Sequence, residues 1–100
     1  MIDLNTLSST CHKIAIKRGK VGDEIIHWKS ASSISDELME FIKANEESPS
    51  EHLPEYTEAQ EELTDVLICC LTELHRRGVD MERIIKEKIE FNKTRDAAGK

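Results

Sequence analysis

The segment from residue 57 to residue 78 constrains the fold most, because its apolar residues recur at the spacing of an α-helix. It reads TEAQEELTDVLICCLTELHRRG. Steps of three and four residues place the apolar side chains on one helix face. These side chains are Ala59, Leu63, Val66, Leu67, Cys70, Leu71 and Leu74. Thr57 and Gln60 form a capping-box pattern at the start, and Gly78 is typical of a helix stop. We therefore predict a helix with one buried face.

Two more segments have helical spacing and recognisable ends. A first helix is predicted from about residue 3 to residue 18, with Asp3 as its cap and Gly19 in the stop that follows. A last helix is predicted from about residue 80 to residue 95, with Asp80 as its cap. The apolar face of this last helix comprises Met81, Ile84, Ile85 and Ile89.

A further helix is predicted between these, beginning near Ser33. Ser33 and Asp36 have the spacing of a capping box, and the helix should end near Asn45, before a loop that contains two prolines. Its apolar face comprises Ile34, Leu38, Phe41 and Ile42. The preceding stretch, DEIIHWKSASS, is compatible with a short helical turn or with an apolar plug between helices.

Composition favours one helical domain over the whole chain. The 100 residues include only four glycines, two prolines and 4% aromatic residues, which predicts an all-α, compact four-helix bundle-like domain spanning residues 1–100. Because a core of this size is modest, we expect oligomerisation to complete it.

The same composition limits the partners and the compartment. The net charge of −6 argues against nucleic acid and anionic membranes as partners. No apolar run approaches the roughly 20 residues that cross a bilayer, and the N-terminus has no signal-peptide pattern. The three cysteines lack a CxxC or zinc-binding spacing, so we expect reduced thiols and a cytoplasmic location.

Two acid pairs flank the apolar faces of the second and third helices. Glu37 and Glu40 stand in ELME, and Glu62 and Asp65 stand in ELTD. Because a helix turns about 100° per residue, each pair begins roughly 60° from its apolar face and ends about 60° further round. Like charges at this spacing destabilise a helix by about 0.2–0.5 kcal/mol. If the helices pack antiparallel, the four carboxylates converge.

A converged set of carboxylates predicts a hard divalent cation. Mg²⁺ prefers oxygen ligands and commonly combines a few carboxylates with water and substrate phosphates. No His or Cys is in phase with the acid pairs, which argues against zinc or a di-iron site. The alternative is that the acids are solvated residues on two helix flanks.

The last helix carries a basic element. Lys88, Asn92 and Arg95 follow at steps of four and three residues, and they fall close to the predicted inward face. Basic residues near a helix C-terminus are favoured by the helix dipole alone. An amide between two cations on an inward face also suits phosphate oxygens.

Together, ELME, ELTD and KIEFNKTR resemble the motifs of the MazG-like, all-α nucleoside triphosphate pyrophosphohydrolases, which are ExxE, ExxD and KxxxNxxR in that order. The resemblance covers about residues 34–95. It implies a helical bundle that works as a homodimer or homotetramer. It also implies Mg²⁺, or Mn²⁺ in its place, bound by Glu37, Glu40, Glu62 and Asp65, with substrate phosphates bound by Lys88, Asn92 and Arg95.

The resemblance implies hydrolysis of a nucleoside triphosphate to the monophosphate and pyrophosphate. Either Glu37 or Glu40 would act as general base. Trp28, with His27 or His12, is a candidate for contact with the base; the alternative is that Trp28 fills the core or a dimer interface. Two other readings stay open: a related phosphoribosyl-ATP-type pyrophosphohydrolase, and a non-catalytic dimeric helical interaction module.

Overall fold

The computed structural model describes residues 3–95, and they form four α-helices without a β-strand. The helices are α1 (Leu4–Lys17), α2 (His27–Lys43), α3 (Glu58–Arg76) and α4 (Met81–Lys93). The prediction of an all-α, helical bundle-like domain is therefore confirmed. None of these helices combines the length and the apolar character needed to span a bilayer.

Three of the predicted helix starts are confirmed by their caps. The carboxylate of Asp3 accepts a hydrogen bond from the backbone N–H of Thr6, and that of Asp80 accepts one from Arg83. Thr57 and Gln60 form the reciprocal capping box at the start of α3. These ends were predictable because a cap needs only residues that are close in sequence.

The predicted start of α2 at Ser33 is wrong. The helix begins at His27, six residues earlier, and its N-cap Ile26 makes no side-chain hydrogen bond. A distant contact accompanies the extension: the hydroxyl of Ser30, in the first turn, donates a hydrogen bond to the buried carboxylate of Glu73 on α3 over 2.6 Å. A local capping pattern cannot predict this hydrogen bond, because the two residues are 43 positions apart.

α3 is the central helix. It packs against α1, α2 and α4, whereas α2 has no such packing with α1 or α4. α4 also lies against α1, where the side-chain amide of Asn5 bonds the Asp80 carboxylate and the Met81 N–H at 3.1 and 2.8 Å. Around α3 the fully covered apolar residues are few. In the described part of the chain they are Ala59, Leu71 and Met81.

Glycines end α1 and α3 in the same way. Gly19 and Gly78 have φ of 70° and 73°, a left-handed conformation that favours glycine. At each end two backbone bonds reach back into the helix, from Gly19 to Ile16 and from Lys20 to Ala15 at the end of α1. This is the Schellman motif, and it reverses the chain direction sharply.

Candidate metal centre

Three carboxylates from two helices meet where α2 packs against α3. Glu37 comes from α2, and Glu62 and Asp65 come from α3. Each offers an oxygen atom, and these three atoms lie within 4.8 Å of one another. The two α3 acids share one turn, so the helical spacing seen in the sequence places them together. Helix packing adds the third acid, as the matching flanks predicted.

Glu40 stands outside this trio, although the sequence groups it with Glu37. Its side chain is exposed, and its oxygen atoms are not part of the group of three. Its negative charge nevertheless acts on Glu62. The structure therefore brings together three of the four predicted metal ligands and leaves the fourth at the edge.

The electrostatics of the trio favour a bound cation. Burial raises the pKa of the Glu62 carboxyl, and the charges of Asp65, Glu61, Glu40 and Glu37 raise it further. A carboxyl among other carboxylates resists ionisation unless a positive charge offsets them. Among the described residues, Lys20 forms an ion pair with one member of the trio, with its Nζ 3.9 Å from Glu37 Oε1.

The donor set fits a hard divalent cation. All three groups are carboxylates, and each is half-buried, so one side remains open to water or a ligand. Mg²⁺ binds through a small number of carboxylates and keeps its other positions for water and phosphate oxygens. Cys69 lines the same region, but burial raises the pKa of its thiol to about 11. The thiol is therefore neutral near pH 7 and is a poor ligand.

A cavity of about 380 Å³ opens beside the acids. It is bounded by α1, the α1–α2 connection, α2 and α3, and both Glu37 and Asp65 line it. Two cations, Arg18 and Lys20, also line it. The remaining wall includes the apolar residues Ile14, Ala15, Val21 and Ile68. Asp36 and Glu73 line it as well, so carboxylates outnumber cations there, and an anionic ligand would need a bound cation to offset them.

The basic element at the C-terminal end of α4 and just beyond it lies apart from this cavity. Lys88, Asn92 and Arg95 are exposed, and none of them lines it. The expectation that they face inward is therefore wrong within a single chain. Lys88 Nζ lies 4.8 Å from the centroid of the Phe91 ring, and Arg95 Nη1 donates to Asn92 Oδ1 over 3.3 Å. α4 packs against α1 and α3 and not against α2, so it does not reach the helix that supplies Glu37.

The candidates for a base contact have different surroundings. Trp28 is 67% exposed, so it does not fill the core of the single chain, and the Lys29 ammonium lies 5.7 Å from its ring centroid. His27 is exposed at the start of α2. His12 is half-buried, and its Nδ1 lies 2.8 Å from Nδ1 of His75 on α3.

Sequence reasoning missed two groups near the site. One is Lys20, whose position follows from the glycine stop before it. The other is the buried Glu73, which pairs with Arg76 and Arg77 at 3.0 and 2.7 Å. Burial acts to raise the pKa of Glu73, but hydrogen bonds from Ser30, Arg77 and Arg76 outweigh it and lower the pKa. The sequence could have predicted the burial of Glu73, because helical periodicity places it close to Ala59 on the apolar face.

Comparison of the chain with protein-family models, curated proteins and solved structures gives no match.

Proposed function

We propose that this protein hydrolyses a nucleoside triphosphate to the monophosphate and pyrophosphate, with Mg²⁺ as cofactor, in the manner of the MazG-like enzymes that its motifs resemble. One observation carries the proposal. Glu37, Glu62 and Asp65, taken from two separate motifs, place carboxylate oxygens within 4.8 Å of one another. Without a cation the carboxylates repel one another, and burial together with this repulsion raises the pKa of Glu62.

The residues divide into three roles. Glu37, Glu62 and Asp65 would hold Mg²⁺, or Mn²⁺ in its place, and Glu40 would be a fourth ligand at the edge. When bound, the metal neutralises phosphate charge and lowers the pKa of water. Glu37 or Glu40 accepts the proton of the attacking water. The water oxygen bonds to the α-phosphorus while the bond to the α–β bridging oxygen breaks, so pyrophosphate leaves without a covalent enzyme intermediate.

Lys88, Asn92 and Arg95 are proposed to bind the phosphate chain, as the resemblance implies. Lys88 and Asn92 are exposed on α4, and Arg95 is exposed just beyond its end, so this surface is accessible to a ligand or to a second copy of the chain. Trp28 is proposed either to stack on the base or to pack in an interface between copies, since it is 67% exposed. Replacing Trp28 with Ala should change nucleotide preference in the first case and the assembly in the second.

We also propose that the protein works as a homodimer or homotetramer. Large apolar side chains on α2 and α3 are about half exposed. They are Leu38, Met39, Ile42, Leu63 and Leu67. Burying them in an interface would stabilise the assembly. The three free thiols favour a cytoplasmic location for it.

Pyrophosphate release tests the activity. The wild type is assayed with canonical and modified nucleoside triphosphates and with phosphoribosyl-ATP, each with Mg²⁺ or Mn²⁺. We expect turnover of at least one free nucleotide, and at least a hundredfold loss for Asp65→Asn. Preferred turnover of phosphoribosyl-ATP would select the related enzyme class. No turnover of any substrate, together with no Mg²⁺ binding by calorimetry, would contradict enzymatic function.

The exposed apolar residues also suit a non-catalytic interaction module. That reading predicts that Mg²⁺ leaves the melting temperature of the wild type and of Asp65→Asn unchanged. A metal-dependent enzyme predicts a rise for the wild type alone, because a ligand that binds only the native state stabilises it.

A further inference from the structure

Lys20 is held in place by the chain reversal after α1. Its backbone N–H donates to the Ala15 carbonyl over 2.9 Å, and Gly19 supplies the positive φ that this bond requires. Lys20 is therefore the second residue after the cap of α1, in a compact turn rather than in a free loop. The turn therefore fixes the backbone conformation at Lys20 and the position of its Cα atom.

The α1–α2 connection is also hydrogen-bonded to α3 beyond Lys20. The Arg76 guanidinium donates to the carbonyl of Glu24 over 2.8 Å and to that of Gly22 over 3.3 Å. Both carboxylate oxygens of Glu73 in turn accept bonds from Arg76, at 3.0 and 3.1 Å. The Arg76 and Glu73 side chains are each 8% exposed. Lys20 thus lies between a fixed helix end and a fixed loop.

The Lys20 side chain reaches the candidate metal centre. Its Nζ lies 3.9 Å from Glu37 Oε1, and the side chain is half exposed and lines the cavity with Glu37 and Asp65. An ion pair this long and this exposed is weak. The ammonium can therefore leave Glu37 at little cost when another cation takes its place.

We propose that Lys20 binds the phosphate chain of the substrate and exchanges partners to do so. In the cation-free protein it offsets the charge of Glu37. When a divalent cation occupies the carboxylates, Lys20 turns to a phosphate oxygen at the cavity. An ammonium on a flexible stem suits this exchange, because it donates three hydrogen bonds in adjustable directions. The inference rests on the proposed function and adds to it a cation supplied by the α1–α2 connection.

The exchange predicts two opposite effects of Lys20→Gln. Loss of the competing ammonium should tighten the binding of Mg²⁺ alone about two- to fivefold, the range of an exposed ion pair. Loss of the phosphate contact should weaken the binding of inorganic triphosphate at saturating Mg²⁺ about ten- to a hundredfold, the range of a hydrogen bond to a charged group. Isothermal titration calorimetry measures both, and inorganic triphosphate avoids any dependence on the base.

Two matched variants complete the test. Lys17→Gln removes the same charge three residues earlier, at an exposed position that does not line the cavity, and it should change both affinities less than twofold. Lys20→Arg keeps the charge and should restore most of the triphosphate affinity. Circular dichroism confirms that each variant is folded.

The outcomes separate the two proposals. Wild-type protein that releases no pyrophosphate and binds no Mg²⁺ would overturn the proposed function. An active wild type whose Lys20→Gln variant behaves like Lys17→Gln would overturn only the role of Lys20. Weaker Mg²⁺ binding by Lys20→Gln would overturn the exchange, since it would show that the ammonium assists the cation instead of competing with it.

Discussion

Glu62 lies where four other carboxylates act on its charge. Burial and the charges of Asp65, Glu61, Glu40 and Glu37 raise its pKa above the ordinary value of 4.5. The folded protein therefore binds a proton at this site more readily than the unfolded chain does. It follows that ionised Glu62 destabilises the fold, and that this cost grows as pH rises from 4.5 through the raised pKa.

Replacing Glu62 with Gln should stabilise the cation-free protein at pH 7. Removal of like-charge repulsion of about 0.2–0.5 kcal/mol should raise the melting temperature by about 2 °C in low salt. The variant should also lose the additional stabilisation that Mg²⁺ gives the wild type. Differential scanning calorimetry with and without Mg²⁺ measures both. A lower melting temperature in the cation-free variant would contradict the repulsion.

His12 and His75 form a second titratable contact, between α1 and α3. Their Nδ1 atoms are 2.8 Å apart, so one ring must donate a proton and the other must accept it. The pKa of His12 is lowered by burial first, then by the positive charges of His75 and Arg76, against an opposing effect of Glu73. A lowered pKa favours the neutral ring in the folded protein.

The free energy of unfolding should therefore fall as the pH falls through the pKa range of His12. The contribution of His12 is fully present above the unfolded pKa of about 6.5 and is lost as pH drops through the lower folded pKa. We expect the wild type to lose about 1 kcal/mol more than His12→Gln between pH 7.5 and pH 5.5. Urea denaturation measures this, with the exposed His27→Gln as control. Equal losses in the wild type and His12→Gln would refute the contact.

At the scale of the helices, α3 performs two separate tasks along its length. Its first half supplies Glu62 and Asp65 to the candidate metal centre, and its last two turns hold the buried Glu73 and Arg76. The last turns join α2 through Ser30 and the α1–α2 connection through Glu24. The helix that supplies two of the acids is thus joined to α2 and to the α1–α2 connection by an ion-pair network at its other end.

Breaking this network should cost more than breaking an exposed ion pair. In Arg76→Gln, Glu73 keeps its burial but loses one charged partner, so we expect a loss of about 3 kcal/mol. The control is Arg83→Gln on α4, which breaks the exposed pair with Glu87 at 2.9 Å and should cost about 0.3–0.5 kcal/mol. Urea denaturation compares the two. Similar losses would show that the network adds no stability beyond an ordinary surface pair.

At the scale of the whole molecule, the apolar faces exceed what one chain can cover. The predicted apolar residues of α3 include Leu63 and Leu67, yet these are 51% and 56% exposed. α1, α2 and α4 do not cover that side of the central helix. This unmatched surface is the reason for proposing a second copy of the chain.

Replacing Leu67 with Glu should therefore disrupt the assembly. A charge in a buried interface is costly, so sedimentation velocity should show an oligomer for the wild type and a smaller species for the variant. Ile16→Glu is the matched control. Ile16 is 55% exposed, but its neighbours one turn back on α1, His12 and Lys13, are polar, so no apolar stripe runs through it. A monomeric wild type at micromolar concentration would contradict the proposed assembly.

The sequence by itself determined the helices and the local pairs of side chains. Caps, glycine stops and apolar spacing involve residues within about four positions, so α1, α3, α4 and the pairing of Glu62 with Asp65 were predictable. Only the tertiary structure decided which distant groups meet. It decided that Glu37 and not Glu40 joins that pair, placed Lys20 beside Glu37, began α2 at His27 and left Lys88 exposed. These outcomes depend on how whole helices pack, which no local spacing encodes.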